Sequence, residues 1–375
     1  VAERLLLEAL DLGVTLFDTA ALYGFGANET LVGRVLKAHR QRIVLCSKGG
    51  MAGVMFPDGM KRVIDGRPET LRRNCEDSLR RLQTEAIDLY YLHRWDKQVP
   101  IEDSVGEMAR LLQEGKVRAL GLSEVSAATL RKAHAVHPIA AVQNEYSLWT
   151  RNAEIAVLDA CREIGAAFVA FSPVARGFLT REPPDVGSLD AKDIRRGMPR
   201  FHPEPYAANL RLLPPYQAIA AEVGCTPAQL ALAWLLARGE QVIPIPGTSK
   251  IEHLRDNLGA ATVVLRPEIV SRLDALILHG RLMDKAVLDG TISGQGGAAR
   301  DRLFDVLMRR FDAMQPHRAG ILRFLKDMRR DPSLAALLGP QLSLSMRWML
   351  DAAEIGGDGC RRRALAAGLV GVWLM

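Results

Sequence analysis

The chain has 375 residues, of which 48% are hydrophobic and 25% charged, enough for one large barrel and a small second unit. No apolar run reaches the ~20 residues of a membrane helix, which excludes a helical membrane protein. The formal net charge of +6 is concentrated from residue 300 onward, where 13 Lys and Arg face 8 Asp and Glu. The rest is nearly neutral and gives no electrostatic case for nucleic acid. Five scattered cysteines without a CxxC pair suit a reducing compartment and argue against structural zinc. With no basic-apolar signal stretch at the start, a cytoplasmic location is expected.

Residues 2–12 form a predicted helix, with Leu5, Leu6, Ala9 and Leu10 on one face and Gly13 closing it. Residues 14–17, β-branched and aromatic, read as a buried strand. A helix follows over 28–38 and a strand over 42–47, then a Gly/Pro/Met loop over 49–66. Pro68 opens the next helix, where proline is tolerated in the first turn. Strands are expected at 87–92, 117–122, 140–143, 166–171 and 242–245. Helices are expected at 105–112, 127–136, 155–164, 216–223, 227–237, 251–258 and 267–278. A long loop covers 175–207.

Seven strands, each followed by a helix, imply a parallel sheet. A doubly wound sheet would want a GxGxxG turn after its first strand, and Gly24-Phe25-Gly26-Ala27-Asn28-Glu29 does not complete one. Polar residues gather at strand C-termini, as in a (β/α)8 barrel, whose sites are built from the loops there. The expected fold is therefore an α/β, (β/α)8 TIM barrel lacking its first strand, with the chain starting inside the helix that should follow it. Three strand ends deliver an acid (Asp18), a phenol (Tyr23), an amine (Lys48) and an imidazole (His93). Any one of them has an ordinary structural explanation; the four together form a candidate catalytic set.

The stretches FDTAALYG, VLCSKGG, YYLHRWD, KVRALGLSE, VQNEYSLWTR, FSPVARGFL and IPIPGTSKIEHLRDNLGA, spread over residues 1 to about 278, resemble the aldo-keto reductase family in order and spacing. The resemblance implies carbonyl reduction with NADP(H), NAD(H) being the alternative, on a small-molecule carbonyl substrate. It implies that Asp18, Tyr23, Lys48 and His93 are the catalytic tetrad. Ser123, Glu124 and Gln143 would hold the nicotinamide carboxamide, Phe171 would stack on the ring and Ser172 would lie at the pyrophosphate. Gly247, Thr248, Ser249, His253, Asp256 and Asn257 would take the adenosine end.

Two positions depart from the family pattern. Glu124 stands where many members have Asn, and an ionised carboxylate can only accept hydrogen bonds. His253 stands where many have an Arg for the 2′-phosphate, with Lys250 and Arg255 as candidate substitutes. In the implied chemistry the phenol gives a proton to the carbonyl oxygen. A phenol is a weak acid, pKa ~10, and a neighbouring ammonium favours its ionised form. Asp18 would anchor the ammonium, and His93 would orient the carbonyl. Trp95 and Trp149 are candidates for the pocket wall or for core beneath a loop.

The resemblance ends near residue 279. Residues 281–299 are turn-rich and read as a linker; residues 300–375 read as a small all-α segment. The run RDRLFDVLMRRFDAMQPHRAGIL resembles the C-terminal ligand-binding and dimerisation region of TetR-type regulators. No helix-turn-helix precedes it, so nucleic-acid binding is not implied, and self-association through the tail is expected. A redox-sensing cofactor module and an inactive gene fusion remain the alternatives to an enzyme.

Overall fold

The computed structural model describes residues 1–57 and 59–276, which form one compact unit. The chain alternates as its periodicity predicts: α1 (Ala2–Asp11), β1 (Leu16–Asp18), α2 (Ala27–Leu36) and β2 (Val44–Gly49). A hairpin of β3 (Met51–Phe56) and β4 (Gly59–Ile64) intervenes before α3 (Pro68–Leu82). Then come β5 (Leu89–Leu92), α4 (Ile101–Gln113), β6 (Leu120–Ser123), α5 (Ala127–Val136), β7 (Ala141–Glu145), α6 (Val157–Ile164) and β8 (Ala167–Phe171). The described part ends with α7 (Pro203–Leu210), α8 (Leu213–Val223), α9 (Pro227–Leu236), β9 (Val242–Ile245), α10 (Ile251–Gly259) and α11 (Pro267–Leu276).

Seven strands pair in the order β1-β2-β5-β6-β7-β8-β9, every pair parallel. This is the expected (β/α)8 barrel architecture with seven strands described, β1 and β9 being the two sheet edges. The edge strands β1 and β9 are half-buried, whereas the central strands β2, β5 and β6 are buried on both faces, with only Val44 of β2 exposed. Parallel strands sandwiched between helices and a barrel interior require this. Cys46, Leu89, Tyr91, Ala141 and Val169 fill that interior, with Leu16, Ala119, Ala167, Ile243 and Ile245 packed around them. A Cβ on Gly121 would come within 2.4 Å of the Tyr91 ring, so the glycine there makes room for this aromatic side chain in the core.

Local sequence explains where the helices start and stop. Pro68 occupies the first turn of α3, and Gln83 ends it in the left-handed region at φ 53°. Thr226 and Gln229 form a reciprocal capping box on α9. Among the described residues no single helix is long and apolar enough to cross a membrane.

Two expectations need correction. Residues 49–66 are not an irregular loop: Met51 to Phe56 pair antiparallel with Gly59 to Ile64 around a turn at Pro57. The Pro57-Asp58-Gly59 run is a turn signal flanked by β-prone residues, and the glycines and methionines around it obscure the alternation. The stretch 175–207 is not loop throughout, since α7 begins at Pro203 and short 3₁₀ turns precede it. The linker and helical tail, with its resemblance to TetR-type regulators, lie outside the described residues.

Candidate active site

Each candidate catalytic group sits where a strand of the barrel ends. Asp18 is the last residue of β1, and Lys48 lies one residue before the end of β2. Strand pairing sets Asp18 against Cys46 and Lys48 against Tyr91. The Lys48 side chain is fully buried, forms a short ion pair with Asp18 and donates to the Thr19 carbonyl at 2.9 Å. Burying an ammonium is tolerable only with such a counter-charge and satisfied donors. The other Asp18 oxygen accepts from the Gln143 side-chain amide at 2.9 Å, 125 residues away in sequence.

Tyr23 lies above this pair in the turn after β1. Its ring centroid is 5.1 Å from the Lys48 ammonium, and its edge packs on His93 at 5.8 Å between centroids. The Tyr23 hydroxyl makes no hydrogen bond among the described residues, and the ring is 39% exposed, open to an incoming ligand. Hydrogen bonds of this kind commonly tighten only when substrate is present. His93 follows β5 and is buried, and its Nδ1 lacks a partner among the described residues. Burial, with Lys48, Arg94 and Arg62 adding to it, lowers the imidazole pKa to about 3. His93 is therefore neutral near neutrality and keeps one ring N–H to donate.

Arg94 is a residue that strand-end reasoning missed. One guanidinium nitrogen donates both to the His93 carbonyl at 2.7 Å and to the Ser123 hydroxyl at 2.9 Å. The acceptor role fixes the Ser123 oxygen and leaves its own O–H to donate elsewhere. The available signal was a cation immediately after the strand-end histidine.

The residues implied in cofactor binding fall into three groups. Ser123, the last residue of β6, is paired with Gln143 in the middle of β7, and both are buried. Glu124 adopts φ 55°, accepts the Glu145 N–H at 2.8 Å and donates its own N–H to Asn144 at 2.8 Å. Its carboxylate thus holds the end of β7. Phe171 and Ser172 are half-buried at the end of β8, Ser172 with φ 52°. Non-glycine residues in the left-handed region are uncommon and gather at functional sites; here Phe25, Glu124, Ser172, Ala175 and Arg176 all lie in the turns after strand C-termini.

Gly247, Thr248 and Ser249 lead from β9 into α10, whose N-cap Lys250 offers no side-chain cap, so the first-turn N–H groups remain open. His253 is exposed and Asn257 half-buried on this helix. Asp256 is already engaged: its carboxylate accepts from Thr226 at 2.9 Å and its carbonyl from Gln229 at 3.0 Å, tying α10 to α9. Arg255 is ion-paired with Glu8 at 2.6 Å, tying α10 to α1. Of the two candidate substitutes for a phosphate-binding arginine, Arg255 is thus committed elsewhere.

A strap, the stretch 175–207 after β8, is tied to the end of β7. Glu145, the last residue of β7, accepts from Arg176 at 3.0 Å, Arg200 at 2.5 Å and Thr150 at 3.0 Å. Burial pushes the Glu145 carboxyl up, but Arg200 and Arg176 outweigh it and hold the pKa below the ordinary value. Arg200 also lies over the Trp149 ring at 5.2 Å, and Trp149 stacks on Phe178 at 4.0 Å. Trp149 is therefore core under the strap, while Trp95 is half-buried and donates to the Val99 carbonyl.

A parallel barrel with a buried ammonium–carboxylate pair, a phenol and a neutral imidazole at its C-terminal mouth defines a class of acid–base enzyme. The model of the aldo/keto reductase family matches residues 1–278. A probable aldo-keto reductase from Glycine max is 48% identical over 258 residues, covering 68% of this chain and 73% of that protein. Among solved structures, the glycerol dehydrogenase from Gluconobacter oxydans is 30% identical with a TM-score of 0.69, covering 79% of this chain and 88% of its own. An aldo/keto reductase from Klebsiella pneumoniae, solved with NADP and acetate, is also 30% identical, with a TM-score of 0.56, covering 73% of this chain and 84% of its own. The chain belongs to the aldo/keto reductase family and is an oxidoreductase of carbonyl chemistry. The match ends at residue 278, so the tail has no part in that assignment.

Proposed function

We propose that this oxidoreductase reduces an aldehyde or ketone to the alcohol with NADP(H), Tyr23 acting as the general acid. The observation that carries this reading is the Lys48–Asp18 pair buried beneath the Tyr23 ring. The Klebsiella pneumoniae relatives, solved with NADP or NADPH, support the cofactor. The residues present fit it: Ser123 and Gln143 offer buried polar atoms on adjacent paired strands, and α10 presents open N–H groups to an anion. Ser123 and Gln143 would hold the carboxamide, Phe171 would stack on the ring and Ser172 would lie at the pyrophosphate. Gly247, Thr248, Ser249, His253 and Asn257 would take the adenosine end, while Glu124 and Asp256 act mainly by holding β7 and α10 in place. The nicotinamide supplies the hydride.

The protein supplies the proton and the geometry. His93 donates its ring N–H to the carbonyl oxygen, and its neutrality prevents it from protonating substrate outright. Tyr23 passes its proton to the same oxygen as negative charge develops there. The Lys48 ammonium stabilises the phenolate left behind, and Asp18 keeps Lys48 in place. Gln143 links this relay to the carboxamide site through its bond to Asp18. On this reading residues 1–280 carry the activity, 281–299 link and 300–375 form a separate helical segment. Limited proteolysis releasing an active fragment of about the first of these would support that division.

Tyr23→Phe tests the acid. Carbonyl-dependent NADPH oxidation should fall by about 10²–10⁴-fold, the usual worth of a positioned acid, while NADPH affinity measured by fluorescence titration holds. Undiminished turnover in Tyr23→Phe would remove the assignment.

A further inference from the structure

The β3–β4 hairpin is the part of the site that the family reading leaves without a role. Its first strand begins three residues beyond Lys48, and its base is closed by the Asp65 N–H donating to the Gly50 carbonyl at 3.0 Å. A Cβ built on Gly53 would come within 2.2 Å of the Phe25 ring, so this position faces the turn that carries Tyr23 and must be glycine for Phe25 to lie there. Gly53 pairs directly with Arg62. Residues directly opposite in an antiparallel pair project from the same face. Arg62 therefore leaves the hairpin on its Phe25 face. The alternation is internally consistent, because Lys61 projects from the other face and lies over the Phe56 ring at 5.3 Å.

Met55 and Met60 pair on the same face as Arg62 and are exposed, 68% and 42%, as is Phe25 at 52%. Arg62 is itself exposed and makes no hydrogen bond or ion pair among the described residues. Neighbouring carboxylates are otherwise occupied: Asp65 holds Arg67, and Asp96 accepts from the Gln98 and Gly66 N–H groups. Its charge is felt at the reacting end, since Arg62 is among the cations that depress His93. Among the described residues the wall beside Tyr23 is thus apolar with a guanidinium that has no partner.

From this wall we infer that the substrate is a carbonyl compound with an apolar body and a terminal carboxylate, the body lying on Phe25, Met55 and Met60 and the carboxylate pairing with Arg62. The inference rests on the carbonyl-reduction reading and specifies its substrate class. A carboxylate suits a lone guanidinium, whose planar fork matches two oxygens, whereas a phosphate monoester calls for more donors.

The test compares 4-carboxybenzaldehyde with benzaldehyde in the full chain, as the ratio of their kcat/KM values. That ratio should fall by up to about fivefold in Arg62→Gln, the worth of a charge pair open to solvent being up to about 1 kcal/mol, and should be kept in part in Arg62→Lys, which retains the charge but not the fork. Comparing each aldehyde with itself across variants cancels its intrinsic reactivity. An unchanged ratio in Arg62→Gln overturns the inference and leaves carbonyl reduction standing. If neither aldehyde is reduced, the reduction reading falls instead, and calorimetric titration of 4-carboxybenzaldehyde into the chain decides on Arg62. Binding lost in Arg62→Gln supports the carboxylate site; binding absent in the parent or equal in both rejects it.

Discussion

Replacing Asp18 by Asn removes the counter-charge of Lys48 while keeping its shape. Lys48 is fully buried, and its remaining partner is the Thr19 carbonyl at 2.9 Å. Breaking a buried pair from one side costs about 3–5 kcal/mol, because the surviving charge stays desolvated. That is a large share of a domain's total of about 5–15 kcal/mol. The double variant Asp18→Asn/Lys48→Met removes the orphaned charge, and an apolar replacement of similar volume is often nearly neutral. It should therefore recover most of the loss, giving a coupling of several kcal/mol in a double-mutant cycle. Urea unfolding followed by far-UV circular dichroism measures both. Turnover should be lost in both, since each disturbs the ammonium that stabilises the Tyr23 phenolate. If Asp18→Asn unfolds within about 1 kcal/mol of the parent, or the double variant is no more stable than the single, the pair is not the buried anchor described here.

Two further outcomes follow from the depressed pKa values. His93 binds a proton at about pH 3 in the folded chain against 6.5 for the free side chain, so the unfolded state takes up more protons between these values. Stability should fall as pH drops from 6.5 toward 3, by at most about 1.4 kcal/mol per pH unit, and His93→Asn should flatten that slope in urea midpoints taken at pH 7, 6 and 5. Glu145 is held below its ordinary value by Arg200 and Arg176 despite burial, so its contribution is present above the free carboxyl pKa and is lost in acid. Glu145→Gln should expose the 175–207 stretch to limited trypsin digestion at neutral pH, and equal digestion of variant and parent would count against the strap.

Much of the architecture was legible because it is local. The near-continuous apolar runs at 43–46 and 89–92 and the helical spacing between them specify βα units without knowledge of any distant contact. A barrel then carries strand C-termini to one mouth, so placing Asp18, Lys48 and His93 at strand ends already placed them together. The residues whose roles were not legible act through partners far along the chain. Gln143 donates to Asp18, Arg94 to Ser123 and Arg200 to Glu145, across 125, 29 and 55 residues. Such pairings depend on strand register and loop path, which leave no periodic trace in the sequence. The same holds for Glu124, whose left-handed backbone turns a carboxylate expected at the carboxamide toward the end of β7. It holds too for Arg62, an ordinary cation in sequence, which only the pairing with Gly53 brings to the face beside Tyr23. Sequence thus determined which chemical groups reach the barrel mouth, because periodicity and strand ends are local. Tertiary structure decided which of those groups are already satisfied and which remain free for a ligand, because a hydrogen-bond partner is a property of space.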